Sequence, residues 1–134
     1  MANFKELSVA SALHPIDSIS YANALNNTGM MYYNLYLTEH VPRFLEEADS
    51  LFQKANKEWE EIEAYEFNID YSFHLFEYGK LLAERGEYEK AKTIIRKSVI
   101  GYMLHNREDR SLDILTTLAD INAKSGNVAD AIDG

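Results

Sequence analysis

Two stretches of this 134-residue chain echo one another 40 residues apart. LLAERGEYEKA (residues 81–91) and LADINAKSGNVADA (residues 118–131) share the core G-x-[YV]-x-x-A, so Gly86, Tyr88 and Ala91 correspond to Gly126, Val128 and Ala131. A fixed period of this length marks stacked supersecondary units, each too small to bury its own apolar face and each completed by its neighbour. Any fold for this chain has to place the same small unit more than once.

The units are helical. Only two prolines and six glycines punctuate the chain, no alternating β-branched run occurs, and apolar residues recur near every 3.6 positions. A short helix is predicted over about residues 3–13, stopping before Pro15. Asp17 or Ser18 caps a helix to about Tyr36, and Pro42 opens a longer one to about Tyr65. Asn68 or Asp70 caps the next, which ends at Gly86. A fourth runs from Glu87 to His105, with Asn106 as its stop. Asp109 or Ser111 starts a fifth that ends at Gly126, and Asn127 opens a stub. The expectation is an all-α chain of consecutive antiparallel hairpins.

These residues resemble the tetratricopeptide repeat, whose signature runs W-x2-L-G-x2-Y, then A-x3-F and a later proline. The middle copy supplies Leu75, Tyr78, Gly79 and Leu82, then Ala91 and Ile95. The first supplies Leu25, Thr28, Gly29 and Tyr32, then Ala48, Phe52 and Ala55, with about seven extra residues in the turn near residues 36–43. The third supplies Leu115, Leu118, Ala119, Asn122 and Ala131, and is truncated. No copy has the tryptophan or the closing proline. The resemblance covers residues 21–134, in repeats of about 21–65, 69–105 and 109–134, and leaves residues 1–15 as a separate segment. It implies a domain over residues 16–134 built as a right-handed stack of helix hairpins, an α-solenoid. The period of 40 is closer to the long-repeat subclass of kinesin light chains and bacterial peptide-sensing regulators than to the usual 34.

Small residues are what the signature demands physically. Helices approach to about 8–10 Å only where facing side chains leave room. Gly29 or Gly79 on one helix and Ala48 or Ala91 on the other supply that pair, with Tyr32, Phe52, Leu82 and Ile95 filling the space around it. A helical bundle or coiled coil is the alternative, because Leu45, Ala48, Phe52, Ala55, Trp59 and Ile62 form a heptad seam. Alanine and tryptophan suit such a seam poorly, so the repeat array is the favoured reading.

Composition narrows the function. With no cysteine there is no disulfide framework, thiolate zinc site or cysteine nucleophile. At 46% apolar and 26% charged residues the chain reads as globular. No apolar run approaches a membrane span and no signal peptide is visible, so a cytoplasmic location is expected. The net charge of −9 falls entirely on residues 1–79, which carry four Lys/Arg and thirteen Asp/Glu, while residues 80–134 carry nine of each. An acidic first half repels phosphate backbones and anionic lipid, so neither nucleic acid nor a membrane is expected as partner.

No catalytic pattern is present. G-x-S-x-G, the P-loop, G-x-G-x-x-G and H-E-x-x-H do not occur. Asp70, His74 and Glu77 share a helix face, but a carboxylate beside a histidine is commonplace, and no metal or other cofactor is expected. Glu58, Glu60, Glu61, Glu63 and Glu66 make a dense acidic run, placed on a helix and read as a solvated face. Lys90, Lys92, Arg96 and Lys97 form a modest basic patch diluted by Glu84, Glu87 and Glu89.

Aromatic stripes say more. On the helix from Ile69 to Arg85 the stripe Tyr71, Leu75, Tyr78 and Leu82 serves the hairpin core. A second stripe, Ile69, Phe73, Phe76 and Ala83 with Lys80 in line, faces elsewhere: it is either packed on neighbouring helices or offered to a ligand. In stacked repeats first helices line the concave surface. The resemblance therefore implies a groove drawing on Phe73, Phe76, Lys80 and Glu84, on Asn23, Asn26, Met30, Tyr33 and Asn34, and on Asp113, Thr116, Asp120 and Lys124. Amides there would bond a peptide backbone and rings would take its side chains. The carboxylate clamp of chaperone-tail receptors is missing, since the matching places hold Asn26, Met30, Phe76, Asp113 and Thr116. The function expected is a non-enzymatic scaffold binding a protein or peptide. The alternative is an oligomerisation module, or a sensor fragment of a larger peptide-responsive regulator, with a homodimer formed through the truncated last repeat, where Leu112, Leu115, Leu118 and Ile121 should expose an apolar face.

Overall fold

A computed structural model describes the backbone of residues 18–133 and the side chains as far as Gly126. The segment 1–15, its predicted helix and the Asp17 cap lie outside the described residues. Every described element is helical: α1 (Ser18–Glu39), α2 (Pro42–Glu60), α3 (Ile69–Glu84), α4 (Tyr88–Leu104) and α5 (Ser111–Asp133), with single 3₁₀ turns at Tyr65–Phe67 and Glu108–Arg110. The chain divides into two compact units between Tyr65 and Glu66. The first holds α1 and α2, the second α3, α4 and α5.

Helix ends follow local chemistry. Val41 is extended and Pro42 takes the first turn of α2, where its missing N–H costs nothing. Asn68 caps α3, its Oδ1 accepting from the Asp70 N–H at 2.8 Å. Gly86, at φ +81°, closes α3 with a bond from its N–H to the Ala83 carbonyl (3.0 Å), followed by Glu87 N–H to Leu82 carbonyl at 2.9 Å. Among the described residues, three others that are not glycine hold the same left-handed turn: His40 after α1, Ala64, and Asn106 after α4, the stop expected there.

Two helices differ from their expected lengths. α2 ends at Glu60 rather than near Tyr65, and Glu61 and Ile62 fold into tight i→i+3 bonds to Glu58 and Trp59. Glu58, Glu60, Glu61 and Glu63 crowd negative charge at the end of a helix whose dipole is already negative there, and Lys57 is the one basic residue in the last turn. The acidic run is thus not helical throughout: it leaves the helix after Glu60 and continues through the turn to Glu66. At the other end of the chain the expected stop at Gly126 does not occur. α5 continues through it to Asp133, because a lone glycine lowers helix stability by only about 1 kcal/mol and no capping turn follows it.

In the first unit α2 buries Ala48, Leu51, Phe52, Ala55 and Trp59, so the row from Leu45 to Trp59 is the inner face of this helix. α1 meets it with Leu25, Thr28 and Gly29, all buried. The Thr28 hydroxyl is satisfied by the Ala24 carbonyl at 2.8 Å. A Cβ added at Gly29 would lie 3.2 Å from Phe52 Cε1. In the second unit the fit is tighter. A Cβ at Gly79 would overlap Ile95 Cγ1 and stand 2.9 Å from Ile95 Cδ1 and 3.3 Å from the Ala91 carbonyl oxygen. A Cβ at Gly101 would collide with Ser72 Oγ. Position 79 meets 95 while 72 meets 101, and numbers that rise on one helix as they fall on the other define an antiparallel hairpin. The expected pairing of small with small is thereby refined: each glycine makes room for the large residue four places after the alanine, Phe52 in one hairpin and Ile95 in the other.

α5 lies against α4 and touches α3. It turns Ile114 and Ile121 inward, both buried. Of the four residues expected to form an exposed apolar face, Leu112 and Leu115 are exposed, Leu118 is half-buried and Ile121 is in the core. A helix turns about 100° per residue, which carries 118 and 121 round to the side of 114. No described helix is long and apolar enough to cross a membrane.

Candidate functional site

The groove residues named from the sequence fall into two sets, one in each unit. On α1, Met30 and Asn34 line a shallow hollow of about 470 Å³ with Asn27, Met31, Leu35 and Thr38. Asn26 is buried and donates from Nδ2 to Met30 Sδ at 3.7 Å. The Thr38 hydroxyl donates to the Asn34 carbonyl at 3.1 Å. Tyr33 is buried and Asn23 half-buried. The amides expected to bond a peptide backbone are therefore unequally available: Asn34 is exposed, whereas Asn26 is committed to the interior.

In the second unit the hollow draws on two helices. Phe76 and Lys80 of α3 face Leu112, Asp113, Thr116 and Thr117 of α5 across about 420 Å³. Phe76 forms the apolar floor and is buried. Lys80 Nζ stands 4.8 Å from the centre of its ring, a cation–π distance, and is held there by Glu77 Oε1 at 3.0 Å. Opposite lie a carboxylate and two hydroxyls. Phe76 and Thr116 are 40 residues apart, the repeat period, so the structure brings together successive first-helix positions expected to share a surface. Asp120 and Lys124 are exposed further along α5, and Glu84 is exposed at the end of α3.

Phe73 belongs to a different cluster. Its ring meets Tyr102 edge-on at 5.4 Å, and the guanidinium carbons of Arg107 and Arg110 stand 5.6 and 5.1 Å from its centre. Here the aromatic stripe packs on neighbouring elements. Arg107 is in turn fixed by Asp109, Nε to Oδ1 at 3.0 Å and Nη2 to Oδ2 at 3.2 Å. That fork holds the Asp109 carboxyl below its ordinary pKa and raises that of Arg107. The Tyr102 hydroxyl is buried with no hydrogen-bond partner among the described residues, and burial pushes its pKa up, against the pull of Arg110. Gly101, Ser72 and this cluster were not singled out from sequence. The available signal was a glycine in the interior of a helix, the same signal that pointed to Gly29 and Gly79.

His74 is not a surface ligand. It is fully buried, stacked against Tyr78 at 5.9 Å with Tyr71 at 6.0 Å. Desolvation lowers its pKa to about 3, so the imidazole is neutral at physiological pH. Its expected companion Glu77 is engaged with Lys80, and no cluster of His, Asp or Glu among the described residues is arranged to hold a metal. In the basic patch Lys90, Arg96 and Lys97 are exposed, while Lys92 pairs with Glu89 at 2.8 Å.

A second recess in this unit runs between α4 and α5. About 210 Å³ in volume, it is walled by Val99, Tyr102 and Met103 on one side and Ile114, Leu115 and Leu118 on the other, with Arg107 and Glu108 at its end. Comparison with protein-family models, curated proteins and solved structures gives no match for this chain.

Proposed function

We propose that this chain is a non-catalytic module that binds a peptide segment of a partner protein on the surface shared by α3 and α5. The observation that supports this most directly is the hollow lined by Phe76, Lys80, Asp113 and Thr116, where an aromatic floor lies between an ammonium group and a carboxylate. Such a surface offers an extended peptide a donor on one side, acceptors on the other, and an apolar seat for a side chain. The Gly79 seat for Ile95 holds the α3 wall in place, so less ordering cost falls on that side of the complex. Both hairpins use the same signature positions, Gly29 with Phe52 and Gly79 with Ile95, which supports the repeat reading and a scaffold role with it.

Phage display of random peptides against the intact chain tests the proposal. Selected peptides should lose at least about tenfold in affinity, or 1.4 kcal/mol, with the combined substitution Lys80→Glu, Asp113→Lys and Thr116→Arg. All three side chains reach solvent, so the fold should survive, as circular dichroism will show. Unchanged affinity in the folded triple variant would overturn it.

A further inference from the structure

The recess between α4 and α5 has apolar walls and one buried polar group with nothing to bond. Val99 and Met103 of α4 and Ile114, Leu115 and Leu118 of α5 supply the walls. Tyr102 also lines it. That residue is 2% exposed, and its hydroxyl has no hydrogen-bond partner among the described residues. The ring is held in place: Phe73 packs on it edge-on at 5.4 Å, and Gly101, the residue before it, is seated against Ser72 Oγ. An unpaired buried hydroxyl destabilises a fold, and phenylalanine would fill the same place without one. Burial raises the pKa of the group, so it stays protonated and able to donate.

Charge and size narrow what could accept that bond. Arg107 and Glu108 stand at the end of the recess. Arg107 is forked on Asp109, and Arg110 Nη1 lies 3.9 Å from Asp113 Oδ2. Two guanidinium groups thus meet three carboxylates, Glu108, Asp109 and Asp113, and no excess of positive charge remains for an anion. The apolar walls and the unpaired donor oppose a cation in turn. The volume of about 210 Å³ exceeds the roughly 150 Å³ of an apolar cavity that holds benzene. It falls short of the roughly 300 Å³ at which drug-sized ligands begin. The space suits one aromatic ring and a substituent of about three atoms.

We propose that the α4–α5 recess binds a small neutral molecule, an aromatic ring bearing a carbonyl oxygen, with the ring between the apolar walls and the oxygen accepting from the Tyr102 hydroxyl. One well-placed polar group among apolar walls fixes the orientation of such a ligand. Met103 and Leu115, both exposed, flank the opening. The recess shares no lining residue with the Phe76–Asp113 hollow, so this binding does not depend on the peptide reading.

Propiophenone, n-propylbenzene and hydrocinnamate are suitable probes: similar in size, they carry a carbonyl, no oxygen and a negative charge respectively. Titrated into the intact isotope-labelled chain and followed by NMR, propiophenone should saturably shift the amides of residues 99–103 and 111–118. It should bind about fivefold tighter than n-propylbenzene, the discrimination expected of one hydrogen bond, and tighter than hydrocinnamate. Tyr102→Phe should abolish the preference, bringing propiophenone down to the affinity of n-propylbenzene and leaving the hydrocarbon unaffected. The same variant should unfold at a higher urea concentration, since it loses an unpaired buried hydroxyl. Val99→Phe, which fills the recess, should abolish binding of both. The proposal is overturned if propiophenone shifts none of these amides, if it binds no better than n-propylbenzene, if hydrocinnamate binds tighter, or if Tyr102→Phe leaves the preference in place. It is also overturned if light scattering shows a dimer that Val99→Phe dissociates, since a second copy would then be the occupant. Tyr102→Phe removes a single oxygen, so the test stays decisive should Val99→Phe fold poorly.

Discussion

Glycine acts in opposite directions at two positions of this chain. At Gly79 the methyl of an alanine would occupy the space of Ile95, and the Ala91 carbonyl limits any retreat. The helix-propensity gain of Gly79→Ala, about 1 kcal/mol, is smaller than the overpacking cost of about 1–3 kcal/mol. Gly126 has nothing within 4 Å of an added Cβ and sits inside α5. Gly126→Ala should therefore raise the urea midpoint, by up to about 1 kcal/mol in stability, while Gly79→Ala lowers it. A shared sign for the two substitutions would contradict the seat described for Ile95. At this scale the sequence was informative about which glycines matter and less so about their partners. Gly29 and Gly79 announce a close approach by lying inside helical periodicity. That the neighbour is the bulky Phe52 or Ile95 rather than an alanine depends on how far each helix is rotated about its axis, and no spacing rule fixes that rotation.

At the scale of the element, positions one 40-residue spacing apart have unequal surroundings. Leu75 and Leu115 are 40 residues apart and were read as the same signature place, yet one is in the core and the other in solvent. Leu75→Asp should unfold the second unit, since a buried unpaired charge costs several kcal/mol. Leu115→Asp should change stability by no more than about 0.5 kcal/mol, and paired thermal melts followed by circular dichroism check both. Helix starts were legible because their signals are local: Pro42 fixes its own φ, and Asn68 carries its own acceptor. Ends were harder. α2 stops at Glu60 through repulsion accumulated over several glutamates, and α5 passes Gly126 because a glycine ends a helix only when the residues after it supply the capping bonds. The candidate site was legible in part for the same reason. Phe76, Lys80, Asp113 and Thr116 line one hollow, whereas Phe73 packs on Tyr102, a contact made from a side of the helix that the stripe alone does not distinguish.

At the scale of the whole molecule, pH acts through one buried ring. His74 stays neutral in the folded chain down to about pH 3, while in the unfolded chain it takes up a proton near its ordinary value of 6.5. Between those values the unfolded state binds the extra proton, so stability is complete above about pH 6.5 and falls as the pH drops toward 3. The slope from this group is about 1.4 kcal/mol per pH unit. Urea midpoints at pH 7 and pH 5 should therefore differ, and His74→Phe should remove this part of the difference while leaving that due to the carboxylates. An unaltered slope in the variant would show that the ring is protonated in the fold. The charge imbalance between the two halves was countable from the sequence. The burial of His74 was not, because the same Asp70, His74, Glu77 spacing suits a solvated face equally well.

The seat of Ile95 on Gly79 also indexes one rod against the other. Sliding α4 by a single turn, about 5.4 Å, would carry that side chain onto Leu75 or Leu82, where no space is reserved for it. The hairpin is thus a ratchet with one tooth engaged: it can tilt as a piece, but it resists shear along its length.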